Sequence, residues 1–430
     1  MAMKRALLAG ILLPIFLFGG CADSVSQPPD TLVSSPLSAK ESSRAPFNDT
    51  AFQVQGSGSV KYAEGVELNR EQENLLLSFM DAQYQSLAYL ELRDPSELFA
   101  DPDGGEAIGN RAILEYIIAT RKMQRTDLSL VDYRYTLTCQ TAEFQEDGTL
   151  LLAVTENSIQ NFAAHPDVDS ESVIIYHTFA MVETEDGWRL GSHIQMDSLT
   201  LVLFLQIDTL DQSAYSMTSF DVENPAQYFS SRLEQLLAEA EAGMEQRLED
   251  GGEELLSAQN AYDRSASISY AHQWVQVRND QWEDYGIYGG NCQNYFSQCL
   301  YAGGIPMDTQ GAYLWKWYSE TPDNTARASG RSSSWSSVES FREYAAGNTG
   351  YGLVAWVGAS YYSGEAGDVL QLGPSDDWRH TVIIVDVIQD DSGQTLDYLV
   401  NSNTADLINY PAGAYTYTHQ SLIKIYGWNS

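Results

Sequence analysis

Cysteine is scarce in this chain, with four in 430 residues, at positions 21, 139, 292 and 299. So few sulfurs exclude a fold stapled by disulfides. Cys292 and Cys299 are two helical turns apart, roughly 10 Å, too far to bridge within one straight helix. Basic residues are also few: 23 Lys and Arg stand against 59 Asp and Glu, for a net charge of −36. A surface of that sign repels nucleic acid and anionic lipid and argues against both as partners. Zinc-ligand spacing, a phosphate-binding loop and a dinucleotide fingerprint are all lacking, so neither a cofactor nor a metal is expected. The apolar run at the start, Ala6–Phe18, is too short to span a bilayer comfortably.

That run is flanked by Lys4 and Arg5 and ends at Phe18-Gly19-Gly20-Cys21. A positive start, a short apolar core and small residues describe an export signal. Small residues directly before a cysteine resemble a bacterial lipobox, with Phe18 where leucine is usual. The resemblance implies a signal peptide over 1–21, lipid on Cys21, and a chain held on the membrane facing the cell wall, with plain secretion as the alternative. Residues 22–66 are rich in Ser, Pro and Gly and read as a flexible tether, with an r.m.s. reach of about 35–40 Å by the flexible-chain rule.

Over 67–210 the pattern is α+β. Leu75, Leu76, Phe79, Met80, Tyr84 and Leu87 recur at helical spacing in Glu71–Leu90, and Asn110–Met123 reads as a second helix. Strands are expected over Leu128–Thr138, Thr149–Asn157, Ser172–Glu183 and Trp188–Ser198, the last two around the turn signal Thr184-Glu185-Asp186-Gly187. Helices followed by such a meander resemble the cone-shaped SnoaL-like fold. His177 and His193, on these strands, are read as structural histidines. Residues 211–258 form a linking segment. Its Glu-rich helix, Tyr228–Glu254, carries one apolar stripe fit to pack on a neighbouring domain.

Residues 259–430 hold the chemistry. The glycine pair of Y-G-G-N-C, at 288–292, runs into a helix that starts at Cys292. Unpaired N–H groups at a helix start favour thiolate over thiol. Tyr295, Phe296, Cys299 and Leu300 follow as a buried stripe, with Cys299 as core. Farther on, His380 leads into the apolar strand H-T-V-I-I-V. Cysteine on a helix start, then histidine on a strand, is the order of a papain-type nucleophile and base. The segment between, Tyr313–Gly350, carries Trp315, Trp317, Tyr318 and Trp335, to be read either as a stacking surface for substrate or as core.

The motifs Y-D-R-S-A at Tyr262, G-G-N-C-Q-N-Y-F-S-Q-C-L-Y-A-G-G-I-P, G-D-V-L-Q-L at Gly367 and W-R-H-T-V-I-I-V at Trp378 resemble the bacterial putative amidase domain, a relative of the CHAP and NlpC-type hydrolases. The resemblance implies a papain-like α+β domain, in which a helix carrying Cys292 packs on an antiparallel sheet carrying His380. It implies acyl transfer with Cys292 as nucleophile and His380 as base. Asn403 stands where the family has its third member, and Asn401 and Asp406 are alternatives. Asn291 stands where an aspartate is common. Tyr288 is a candidate oxyanion donor beside the Cys292 amide. Peptidoglycan or another peptide is the implied substrate.

Overall fold

The computed structural model describes residues 54–196, 203–207, 214–249, 251, 256–286, 290–375, 377–404 and 406–430. All of them belong to one compact unit. The expected signal peptide, Cys21 and Tyr288 lie outside the described residues.

The chain opens with strand β1 (Gln55–Tyr62), helices α1 (Arg70–Tyr89) and α2 (Gly105–Lys122), and a meander of β2 (Leu130–Phe144), β3 (Leu150–Phe162), β4 (Ser170–Thr184) and β5 (Gly187–Met196). Helix α1 begins where Asn69 accepts from the amides of Glu71 and Gln72 while the Gln72 side chain accepts from the Asn69 amide. This reciprocal cap satisfies donors the first turn leaves free. Its stripe from Leu75 to Tyr84 is buried against β2, β3 and β5 residues. Gly187 turns β4 into β5 at φ +99°, a conformation a side chain would resist.

Strand β1 corrects the expected tether in its last part. Gly56 and Gly58 suggest flexibility in the sequence, yet β1 pairs in parallel with β2. A Cβ at either glycine would stand 1.9 or 2.2 Å from the ring of Tyr133 or Tyr135. Close backbone approach, rather than freedom, is what these glycines supply.

The rest comprises α3 (Pro225–Leu248), α4 (Arg264–Trp274), α5 (Cys292–Ala302), α6 (Ser333–Ser336), α7 (Val338–Gly347), β6 (Gly352–Ala359), β7 (Val369–Gly373), β8 (His380–Gln389), β9 (Thr395–Asn403), β10 (Asp406–Pro411) and β11 (His419–Asn429). The class is α+β, with one large, mostly antiparallel sheet ordered β1-β2-β3-β4-β10-β9-β8-β7-β11-β6, and β5 on β4. Asp406–Ile408 pair with Glu171–Val173, so hydrogen bonds run without a break from the meander into the C-terminal strands. Ser170 Oγ donates to the Asn409 carbonyl at 2.7 Å, and Tyr116 OH to that of Thr416 at 2.7 Å.

The C-terminal strands are covered on both faces. On one, Tyr295, Phe296, Cys299 and Leu300 of α5 pack with Trp315, Trp335, Phe341, Ile383 and Ile423. On the other, Tyr116 of α2 and Phe229 and Leu236 of α3 pack with Leu370, Val382, Ile384, Val400 and Leu422. Helix α3 lies close on β11, where a Cβ at Gly243 would meet the Thr418 carbonyl at 1.8 Å. Trp315 and Trp335 are fully buried. Their indole N–H groups donate to Ser297 Oγ and Asn294 Oδ1, so these two tryptophans are core and offer no stacking surface. Tyr313 and Tyr318 of the same segment are exposed.

Candidate active site

Cys292 is the first residue of α5 and is 6% exposed. The backbone N–H groups of Thr381, Gln293 and Cys292 itself and the hydroxyl of Thr404 favour its thiolate. Thr381 also donates its hydroxyl to Gln293 Oε1 at 2.9 Å, tying the helix start to β8. Thr404 Oγ1 accepts from the Asn291 amide at 2.7 Å. One end of α5, the start of β8 and the turn after β9 therefore converge on one sulfur. The expected preference for thiolate is reversed in this arrangement. Burial pushes the Cys292 thiol up, and the donors only partly oppose it, because an isolated anion this far from water loses more solvation than a helix end returns. Cys299 is fully buried and pushed well up by burial, as a core thiol.

His380 stands at the start of β8, next to the Thr381 amide that touches the sulfur, but its ring points elsewhere. Its Nε2 lies 3.0 Å from Ser402 Oγ, and the ring sits 5.8 and 6.1 Å from the rings of Tyr415 and Tyr417. Strand alternation explains this. His380, Val382 and Ile384 share the face packed by α2 and α3, whereas Thr381 and Ile383 face α5. Among the described residues no hydrogen bond joins His380 to Cys292. Burial pulls His380 down to about 4, so at neutral pH the pair rests as thiol and neutral imidazole.

The proposed third members face α4 and α5. Asn403 Oδ1 accepts from Asn291 Nδ2, and its Nδ2 donates to the carbonyls of Trp274 and Val275. All its polar atoms are occupied, and none by His380. Asn401 Oδ1 accepts from the Asn409 amide at 2.8 Å, and its Nδ2 lies 3.2 Å from His272 Nδ1. Asp406 takes a two-pronged pair from Arg278 at 3.1 Å. The group on His380 is Ser402, which the sequence reading passed over together with Thr381, Gln293 and Thr404. Thr404 was within reach, as the residue that follows Asn403.

His177 and His193 are buried and hydrogen-bonded, as structural histidines are. His193 Nδ1 is 2.7 Å from Asn110 Oδ1, its Nε2 is 3.0 Å from His177 Nδ1, and His177 Nε2 is 2.9 Å from Glu156 Oε2. Tyr84 closes the chain by donating to Glu156. No run of residues in the sequence announces this set, which comes from α1, α2, β3, β4 and β5.

Residues 261–427 match the family model described as a putative amidase domain. The C-terminal part thus carries that domain, and the match supports an amidase-type hydrolase acting on C–N bonds. The chain is 32% identical to the uncharacterized protein YhbB of Bacillus subtilis (strain 168) over 150 residues, which are 34% of this chain and 42% of that protein. It thus spans less than half the length of that relative. Among solved structures, the intermembrane space region of chloroplast protein ARC6 matches 30% of this chain and 98% of its own at 15% identity, with a TM-score of 0.21. At that score the likeness bears on neither fold nor function.

Proposed function

We propose that the chain is an exported cysteine amidase, anchored through lipid on Cys21, that hydrolyses an amide bond in peptidoglycan peptides. The observation that carries the reading is Cys292 at the first residue of α5, where the backbone amides of Thr381, Gln293 and Cys292 and the Thr404 hydroxyl favour its thiolate. Such donors stabilise a thiolate once a base has taken its proton. His380 is the base in this reading, after its ring leaves Ser402. The thiolate attacks the amide carbonyl, the Cys292 amide donates to the oxyanion, and His380 returns the proton to the leaving amine. Water then hydrolyses the thioester. Asn403 acts at one remove, by holding Asn291 beside the nucleophile. Export rests on Lys4, Arg5, the apolar run to Phe18 and the small residues before Cys21, and the wall substrate rests on export.

A second reading has its own support. A neutral thiol and a histidine bonded elsewhere also describe a wall-binding protein without activity. Incubation of purified sacculi and their stem peptides with the full chain, Cys292→Ala and His380→Ala, followed by mass spectrometry, separates the two. The amidase reading expects new amine and carboxyl ends with the unsubstituted chain alone. Sacculus binding by all three forms with no new ends would hand the site to the second reading.

A further inference from the structure

A cavity of about 150 Å³ lies where the meander and its helices meet the C-terminal strands. Arg121, Glu156, Gln160 and His193 line it from one side, and His380, Thr404 and Thr416 from the other. Its walls are therefore continuous with the residues that surround Cys292, since Thr404 touches both the cavity and the sulfur.

Three of these side chains hold buried polar atoms without a hydrogen bond: Arg121 Nε, Gln160 Oε1 and Thr416 Oγ1. Arg121 is 3% exposed. Its guanidinium reaches only the Leu128 carbonyl at 3.5 Å and Tyr410 OH at 3.3 Å, and it lies over the ring of Phe162. Among the described residues no carboxylate pairs with it, and burial pulls its pKa down. A buried cation without a counter-ion is costly, and orphaned donors and acceptors in one cavity add to that cost. Glu156, the carboxylate on the same wall, is already held by Tyr84 and His177. Among the described residues, the cavity thus holds the Arg121 charge without a carboxylate partner, beside apolar side chains such as Leu87, Ile113, Leu114 and Ile175.

We propose that this cavity binds the free carboxylate end of a small acylated amino acid or peptide terminus, with Arg121 as its counter-ion and Gln160 and Thr416 as polar partners. A planar guanidinium suits a carboxylate in two-pronged geometry, and one cation among apolar walls fits a monoanion with an apolar body better than a phosphate. A cavity of this size takes a molecule of about benzene's bulk, which is the scale of one residue rather than a sugar chain. This deepens the amidase reading and rests on it only for the fate of the ligand: an amide whose carboxyl end sits at Arg121 shares the cavity that His380 lines.

The test is titration of N-acetylglycine, with N-acetylglycinamide as its uncharged counterpart, into the full chain carrying Cys292→Ala, followed by calorimetry. The acid is expected to bind at least tenfold more tightly than the amide. Arg121→Gln should weaken the acid by roughly tenfold to a hundredfold, the usual worth of a charged hydrogen-bonding partner, and leave the amide unchanged. Thr416→Val should weaken both severalfold. Equal binding of acid and amide, no binding of either at millimolar concentration, or indifference to Arg121→Gln would each overturn the proposal. If Arg121→Gln fails to fold, the acid-to-amide ratio and the Thr416→Val titration decide. Binding as expected together with no cleavage of any wall peptide by the unsubstituted chain keeps the site and removes the amidase reading. Cleavage that Arg121→Gln leaves untouched does the reverse.

Discussion

Replacing Thr404 with valine tests the donors around Cys292 directly. Valine keeps the shape and removes the one hydroxyl that reaches the sulfur. That hydroxyl also accepts from the Asn291 amide, the residue before the helix. A hydrogen bond to a charged group contributes about 1.5–3 kcal/mol, which corresponds to roughly one to two pKa units of preference for the thiolate. The Cys292 titration should therefore move upward by about that much in Thr404→Val. The assay is iodoacetamide alkylation of the full chain across pH, with the labelled cysteine located by peptide mapping. The midpoint of the profile is compared, because the small exposure of Cys292 slows the absolute rate in both forms. The other two described cysteines, Cys139 and Cys299, are fully buried and serve as internal controls. An unchanged midpoint, with folding intact, would refute the claim that Thr404 donates to the sulfur.

Two further outcomes rest on packing and on linkage. Gly58→Ala drives a Cβ into the ring of Tyr135 and should destabilise the chain by about 1–3 kcal/mol, as overpacking does; a urea melt reads this, and a neutral result would mean that β1 does not lie on β2. His380 carries a folded pKa of about 4 against an ordinary 6.5, so on acidification the unfolded chain takes up this proton first. Stability due to this group is complete above pH 6.5 and is lost as pH falls toward 4. Between those values His380→Asn should flatten the pH dependence of unfolding free energy by about 1.4 kcal/mol per pH unit, and parallel curves for the two forms would show that His380 is not buried as a neutral ring.

Much of the local structure was legible from pattern. Helical spacing marked α1 and the stripe of α5, alternation marked β2 to β5, and Thr184-Glu185-Asp186-Gly187 marked the hairpin, because hydrophobic periodicity and turn chemistry are properties of neighbouring residues. Cys292 at a helix start and His380 at a strand start were legible in the same way. What was not legible depended on partners remote in the chain. Gly56 and Gly58 serve two tyrosines on a strand far along the sequence, and no local rule separates that use from flexibility.

The sequence by itself determined α1, α5 and β2 to β5, the acidic surface, and the resemblance of the C-terminal part to an amidase domain. Tertiary structure decided which face of the sheet each site residue occupies. A one-residue step along β8 sends Thr381 toward the thiol and His380 toward Ser402, and the same step along β9 sends Asn403 to Asn291. It decided that the meander and the C-terminal strands share one sheet through β4 and β10. It also placed Arg121, with no carboxylate partner among the described residues, in a cavity that His380 lines as well. Charge, burial and hydrogen bonding at a site are sums over residues that only folding brings together, and a linear chain does not display them.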